Sequence, residues 1–146
     1  MFNILWLEDT PEAVRYEINA LKELKDCRIE VVEWPDELMS RLDSDSNKYD
    51  LLLIDIMIPG VRSFKKDGVE YRTRGGIETG IIYYEHEIKG IYKGQVVFFT
   101  ARSITPELRN EVNKHANCEL FHKTQLKTKL LPYLQTSIQK KMEGHK

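Results

Sequence analysis

The chain has 146 residues, 41% hydrophobic and 31% charged, with 22 basic against 23 acidic side chains and a formal net charge of −1. That is the make-up of one soluble globular domain with room for a sizeable core, and the balanced charge excludes a general nucleic-acid or membrane-surface binder. Cys27 and Cys118 form no CxxC pair, no apolar run is long enough to span a membrane, and Met1 to Asp9 lacks the marks of a signal peptide, so a reducing, cytoplasmic setting is expected.

Residues 2–7 are nearly all apolar, as in a strand covered on both faces. Thr10-Pro11-Glu12 reads as a helix start, with a hydroxyl cap, proline in the first turn and an acid beside it. Val14, Ile18, Leu21 and Leu24 supply the apolar stripe of that helix. Ile29 to Trp34 is a second strand, and Trp6 and Trp34 are expected in the core. Pro35 to Leu42 reads as a short helix, followed by a polar loop from Asp43 to Lys48. Tyr49 to Ile58 is the most apolar run, interrupted by Asp55 and ended by Pro59-Gly60.

Residues 61–75 read as a polar loop carrying Arg62, Lys65, Lys66, Arg72 and Arg74 against Asp67 and Glu70. Gly76 to Glu87 is a third helix, with Ile77, Ile81 and Tyr84 on one face. Gln95 to Thr100 is a fourth strand, Thr105-Pro106-Glu107 starts a helix to about Ala116, and Cys118 to His122 is a fifth strand. Leu126, Leu130, Leu131, Leu134 and Ile138 keep helical spacing around Pro132, which places the regular helix near the proline after an irregular lead-in. Five strand–helix units predict an α/β chain with a doubly wound parallel sheet covered on both faces. We expect one domain over residues 1–146, with an extended loop at about 61–75. In such sheets ligands sit beyond the carboxyl ends of the strands.

At those ends stand Glu8 and Asp9, Asp55, Thr100 and Lys123. Three carboxylates share a small site only if some take up protons or a cation joins them. All are hard oxygen donors with no Cys or His among them, which suits Mg²⁺. A carboxylate is a competent nucleophile toward phosphorus, and a metal and a lysine neutralise charge on the transferring group.

Glu8-Asp9, Asp55 with Pro59 at plus four, Thr100-Ala101 and Lys123 together resemble the response-regulator receiver family, whose best-known members include the chemotaxis regulators. The resemblance runs along the whole chain and implies a flavodoxin-like sheet of order 2-1-3-4-5. It implies Asp55 as phosphoacceptor, and Mg²⁺ held by Glu8, Asp9, Asp55 and the Met57 backbone carbonyl. It implies Thr100 as the switch hydroxyl, Lys123 as the phosphoryl-contacting lysine, and Met57 and Arg102 at the positions that tune acyl-phosphate hydrolysis.

The implied function is that of a signalling phosphoacceptor, not an enzyme turning over a separate substrate. A sensor histidine kinase or histidine phosphotransfer protein would supply the phosphoryl group, and the surface of helix four, strand five and helix five would switch. The output would pass to a downstream protein or to an output domain outside these 146 residues, without direct nucleic-acid or membrane contact.

The chain departs from the family in three places. The loop before Gly76-Ile77-Glu78 is longer by about a dozen residues. Thr124 stands where the family has proline after the lysine, and a cis bond there would cost about 3 kcal/mol. Leu120 stands at the switch-aromatic position, with Phe121 beside it. These departures keep a second reading open, a receiver-fold interaction module that works without phosphorylation. An aspartyl phosphatase would want a second acid where Met57 stands, and a nucleotide-binding enzyme would want glycines after the first strand. The scattered histidines, His86, His115, His122 and His145, suggest no metal site.

Overall fold

A computed structural model describes residues 1–58, 63–73 and 78–144; Pro59-Gly60, Arg62, Arg74, Gly76-Ile77 and His145, named above, lie outside the described residues. A five-stranded parallel sheet is built from β1 (Phe2–Leu7), β2 (Cys27–Val32), β3 (Leu51–Ile54), β6 (Gln95–Thr100) and β7 (Cys118–His122). Its order is β2-β1-β3-β6-β7, which is the expected 2-1-3-4-5 once the two strands of a separate hairpin are set aside. That hairpin, β4 (Ser63–Lys66) and β5 (Val69–Arg72), is inserted after β3.

Alternation along the strands divides the interior into two cores. Leu5, Leu7, Leu52, Ile54, Val96, Phe98 and Leu120 face one way, toward Leu38 and Leu42 of α2 (Pro35–Asp45), Ile81 of α3 (Thr79–Tyr83) and Leu108 and Val112 of α4 (Pro106–Asn113). Ile4, Trp6, Leu51, Leu53, Val97 and Phe99 face the other way, toward Leu21 of α1 (Arg15–Lys22) and Leu134 and Ile138 of α5 (Leu131–Glu143). Each such side chain taken fully from water contributes about 1.5–3 kcal/mol.

The two capped-proline signals behave differently. Thr105 caps α4, its hydroxyl accepting the Leu108 amide at 3.1 Å. Thr10 caps nothing: its hydroxyl donates to Asp9 Oδ1 at 3.3 Å, residues Pro11–Val14 form a 3₁₀ turn, and α1 begins at Arg15. Several edges also move. β2 spans Cys27–Val32 and β3 only Leu51–Ile54, α2 runs on to Asp45, and α4 stops at Asn113. α3 continues into a π turn at Tyr84–Ile88. The C-terminal expectation holds, with a π turn at Leu126–Leu130 leading into α5 and Pro132 in its first turn.

Trp34 is the clearest error in the expected core. Trp6 is fully buried, but Trp34 lies beyond the end of β2 and is 49% exposed. It lines a shallow hollow of about 290 Å³ with Pro35, Asp36, Ser63, Phe64 and Tyr83.

The expected polar loop is corrected as well. Residues 63–72 form an antiparallel hairpin whose turn residues, Asp67 and Gly68, have φ of 52° and 79°. Two positive φ values in a two-residue connection match strand twist, and Asp-Gly supplies them at little steric cost. One face carries Phe64 and Tyr71, which stack on each other and pack onto Tyr83 and His86, while the Lys66 ammonium donates to the His86 carbonyl. The opposite face, with Ser63, Lys65, Glu70 and Arg72, is solvated.

Candidate functional site

Parallel register carries the polar residues to one edge. Leu7 pairs with Ile54 and Ile54 with Phe98, so the next residues of β1 and β3, Glu8 and Asp55, emerge side by side. Their backbones stay in the ladder: the Glu8 amide donates to the Val32 carbonyl at 2.9 Å and the Asp55 amide to the Leu7 carbonyl at 3.0 Å. Thr100 pairs with His122 at the ends of β6 and β7, which brings Lys123 to the same edge.

Both carboxyls are deeply buried, Glu8 at 1% and Asp55 at 4% exposure. The Lys123 ammonium donates to both, to Glu8 Oε2 at 3.0 Å and to Asp55 Oδ2 at 3.2 Å. Asp55 Oδ1 accepts the Met57 amide at 3.1 Å. Asp9 is half-buried, and one oxygen each of Glu8, Asp9 and Asp55 lie within 4.8 Å of one another.

Burial and the neighbouring Asp55 charge push Glu8 up to about 8 against the pull of Lys123. Burial also raises Asp55, with Lys123 opposing. Burial disfavours the Lys123 charge, but the two carboxylates outweigh it and hold the ammonium above its ordinary value. One ammonium thus bonds two of the three acids, and burial beside Asp55 favours the protonated form of Glu8 near neutrality. A hard divalent ion fits this donor set, which offers three carboxylate oxygens on an edge that Asp9 leaves partly open to solvent.

Thr100 is fully buried, and its hydroxyl accepts the Arg102 amide at 3.0 Å, which turns the chain at the end of β6. Arg102 reaches α3 through an ion pair with Glu78 at 3.3 Å. Leu120 is buried in the core, and Phe121 packs edge-on against Tyr133 of α5. The bond before Thr124 is trans.

Two residues near this edge escape a reading from local pattern. Gly80, in the first turn of α3, lies so close that a methyl group there would fall 2.1 Å from the Asp55 carbonyl oxygen and 2.8 Å from Ile56 Cα. Its amide donates to the Ile56 carbonyl at 2.9 Å, tying α3 to the segment that carries Asp55. A glycine inside a helical pattern is the signal that points to such a contact. His122 is the second, with a side chain bonded on both sides of the lysine turn.

No family model matches the chain, and no curated protein does. Solved structures do match. A Francisella response-regulator receiver domain superposes with a TM-score of 0.65 at 16% identity, covering 97% of this chain and 99% of that one. Response regulator protein TrrA from Thermotoga maritima, solved in complex with Mg²⁺ and BeF, gives 0.65 at 20% identity, covering 94% and 99%. The N-terminal domain of a receiver protein from Methanoculleus marisnigri gives 0.57 at 20% identity, covering 93% and 95%. The chain thus has the fold of response-regulator receiver domains over nearly its whole length.

Proposed function

We propose that this protein is a signalling phosphoacceptor that takes a phosphoryl group on Asp55 from a phosphohistidine donor, in a Mg²⁺-dependent reaction. The observation that carries the proposal is the buried cluster in which Lys123 bonds both Glu8 and Asp55, at the strand edge where this fold places ligands. A structural ion pair needs one acid for one base; here Asp9 adds a third carboxylate within reach.

An Asp55 carboxylate oxygen forms the new bond to phosphorus as the bond from phosphorus to the donor nitrogen breaks. The departing electron pair stays on the donor imidazole, and the product is a mixed anhydride. The Met57 amide orients Asp55 through Oδ1, and Lys123 lies where charge on the transferred oxygens needs an opposite charge. Glu8, Asp9, Asp55 and the Met57 carbonyl would hold Mg²⁺, which supplies charge neutralisation when bound. The Thr100 hydroxyl would turn from the Arg102 amide toward the phosphoryl oxygens, drawing the β6–α4 loop and the α4, β7 and α5 surface with it. Arg102 and Met57 would flank the phosphoryl group and set the rate at which water removes it. The donor would be a sensor histidine kinase or histidine phosphotransfer protein.

Intact-mass spectrometry after incubation with acetyl phosphate, with and without Mg²⁺, tests the proposal. A Mg²⁺-dependent gain of one phosphoryl group, absent in Asp55→Asn, is expected. No gain in folded protein under any condition would sink it in favour of a phosphorylation-independent interaction module.

A further inference from the structure

His122 makes contacts on both sides of the lysine turn. Its Nδ1 accepts the Thr124 backbone amide at 3.1 Å and lies 2.8 Å from the Thr124 hydroxyl. Its Nε2 stands 3.1 Å from the Ala101 carbonyl, in the loop that follows Thr100. An N–H directed at Nδ1 requires a free lone pair there, and a carbonyl facing Nε2 accepts from a hydrogen there. The contacts therefore fit the tautomer with its hydrogen on Nε2, donating to the Ala101 carbonyl. The turn is closed from the other end by Gln125, whose Oε1 accepts the His122 amide at 2.9 Å.

We propose that His122 is the positioning residue that couples the Lys123 end of the site to the Thr100 loop, replacing the aromatic side chain that Leu120 cannot provide. Three features of the chain become one device. Leu120 is buried in the core at 2% exposure and carries no aromatic ring. Thr124 has an N–H to offer the imidazole, and a proline there would have none. His122, two residues further along the same strand, reaches across to Ala101 just beyond β6 instead.

A path of contacts along the chain then runs from Asp55 to Lys123, through the His122 turn to Ala101, and on through Arg102 to Glu78 at the start of α3. Movement of Lys123 or of Thr100 must stretch the His122–Ala101 bond or carry the other end with it. The regulatory role assigned to this path rests on the phosphoacceptor reading. The bridge itself is a property of the unmodified protein.

Two variants separate the ends of the bridge. In His122→Asn the shorter side chain keeps an acceptor for the Thr124 amide but does not extend to Ala101; His122→Ala loses both contacts. Amide shifts of Ala101 to Ile104 are followed by NMR as acetyl phosphate and Mg²⁺ are added, with the mass gain measured in parallel. We expect His122→Asn to take up the phosphoryl group like wild type, with the shift response of the loop at least halved. The same response in both proteins would overturn the proposal.

If wild type takes no phosphoryl group, the functional reading fails and the bridge is tested in unmodified protein. Lys123→Met should then shift the Ala101 and Arg102 amides in the wild-type background but not in His122→Asn. Equal shifts in the two backgrounds, or none in either, would overturn the coupling by itself. The long-range ¹⁵N spectrum of the imidazole gives an independent reading. It should show the Nε2–H tautomer in wild type; a protonated Nδ1 at neutral pH would contradict the bridge.

Discussion

The acidic edge is assembled from three distant segments and the β4–β5 hairpin from one, and opposite forces hold them. At the edge, burial makes every charge costly, so Glu8, Asp55 and Lys123 persist only through one another. The hairpin is stabilised by ring contacts of Phe64 and Tyr71 on Tyr83 and His86, with its charged face left in water. Substitutions should therefore behave differently in the two regions. Changes at the edge depend on pH and divalent cation, whereas changes in the hairpin depend on neither and leave the chemistry intact.

Lys123→Met should have the largest effect on stability. It leaves two buried carboxyls without their cation and should cost about 3 kcal/mol at pH 8 by chemical denaturation. The cost should shrink at pH 5, where Glu8 is protonated and the burial that raises Asp55 favours its neutral form. A loss that is equal at both pH values would show that the lysine acts through packing alone.

Gly80→Ala should come next. The new methyl cannot fit against the Asp55 carbonyl, and backbone must move to admit it. A loss of about 1–3 kcal/mol is expected, with slower acetyl-phosphate labelling because Asp55 is displaced. Unchanged labelling in the destabilised variant would separate the α3 contact from the chemistry.

Glu8 sharpens the contrast through pH. Its folded pKa of about 8 lies above its ordinary 4.5, so the stability it contributes is complete below about pH 4.5 and is lost as pH rises through about 8. Glu8→Gln removes this loss and should raise stability by about 1–2 kcal/mol at pH 8, with little change at pH 4.5. Mg²⁺ held as proposed would displace a proton from Glu8, so affinity should rise with pH by up to about tenfold per unit and level off above pH 8. Calorimetric titration at three pH values checks this, and a flat profile would contradict a shared proton.

Phe64→Ala should be the smallest effect, about 1–2 kcal/mol from lost ring contacts, independent of pH and Mg²⁺, with labelling near wild type. A labelling defect in that variant would tie the hairpin to the site after all.

The strands and the edge they build were legible because their signals are local. Runs such as Leu51 to Ile54 name buried strands, and an acid at the end of such a run marks a site. The hairpin carried a signal too, Asp67-Gly68, but only Phe64 and Tyr71 give it a clear apolar face, and the charges around them read as a loop. Trp34 misled because its burial depended on where β2 ended.

By itself the sequence determined the order of the five sheet strands and their helices, the parallel sheet, and the set of polar residues at its carboxyl edge, but not the hairpin. Hydrophobic periodicity and strand ends are properties of neighbouring residues. Only the tertiary structure decided that burial raises the Glu8 carboxyl, that a methyl at Gly80 would meet the Asp55 carbonyl, and that the His122 ring lies between Thr124 and Ala101. Each of these depends on how closely distant segments approach and how much water they exclude, and no local pattern encodes those distances.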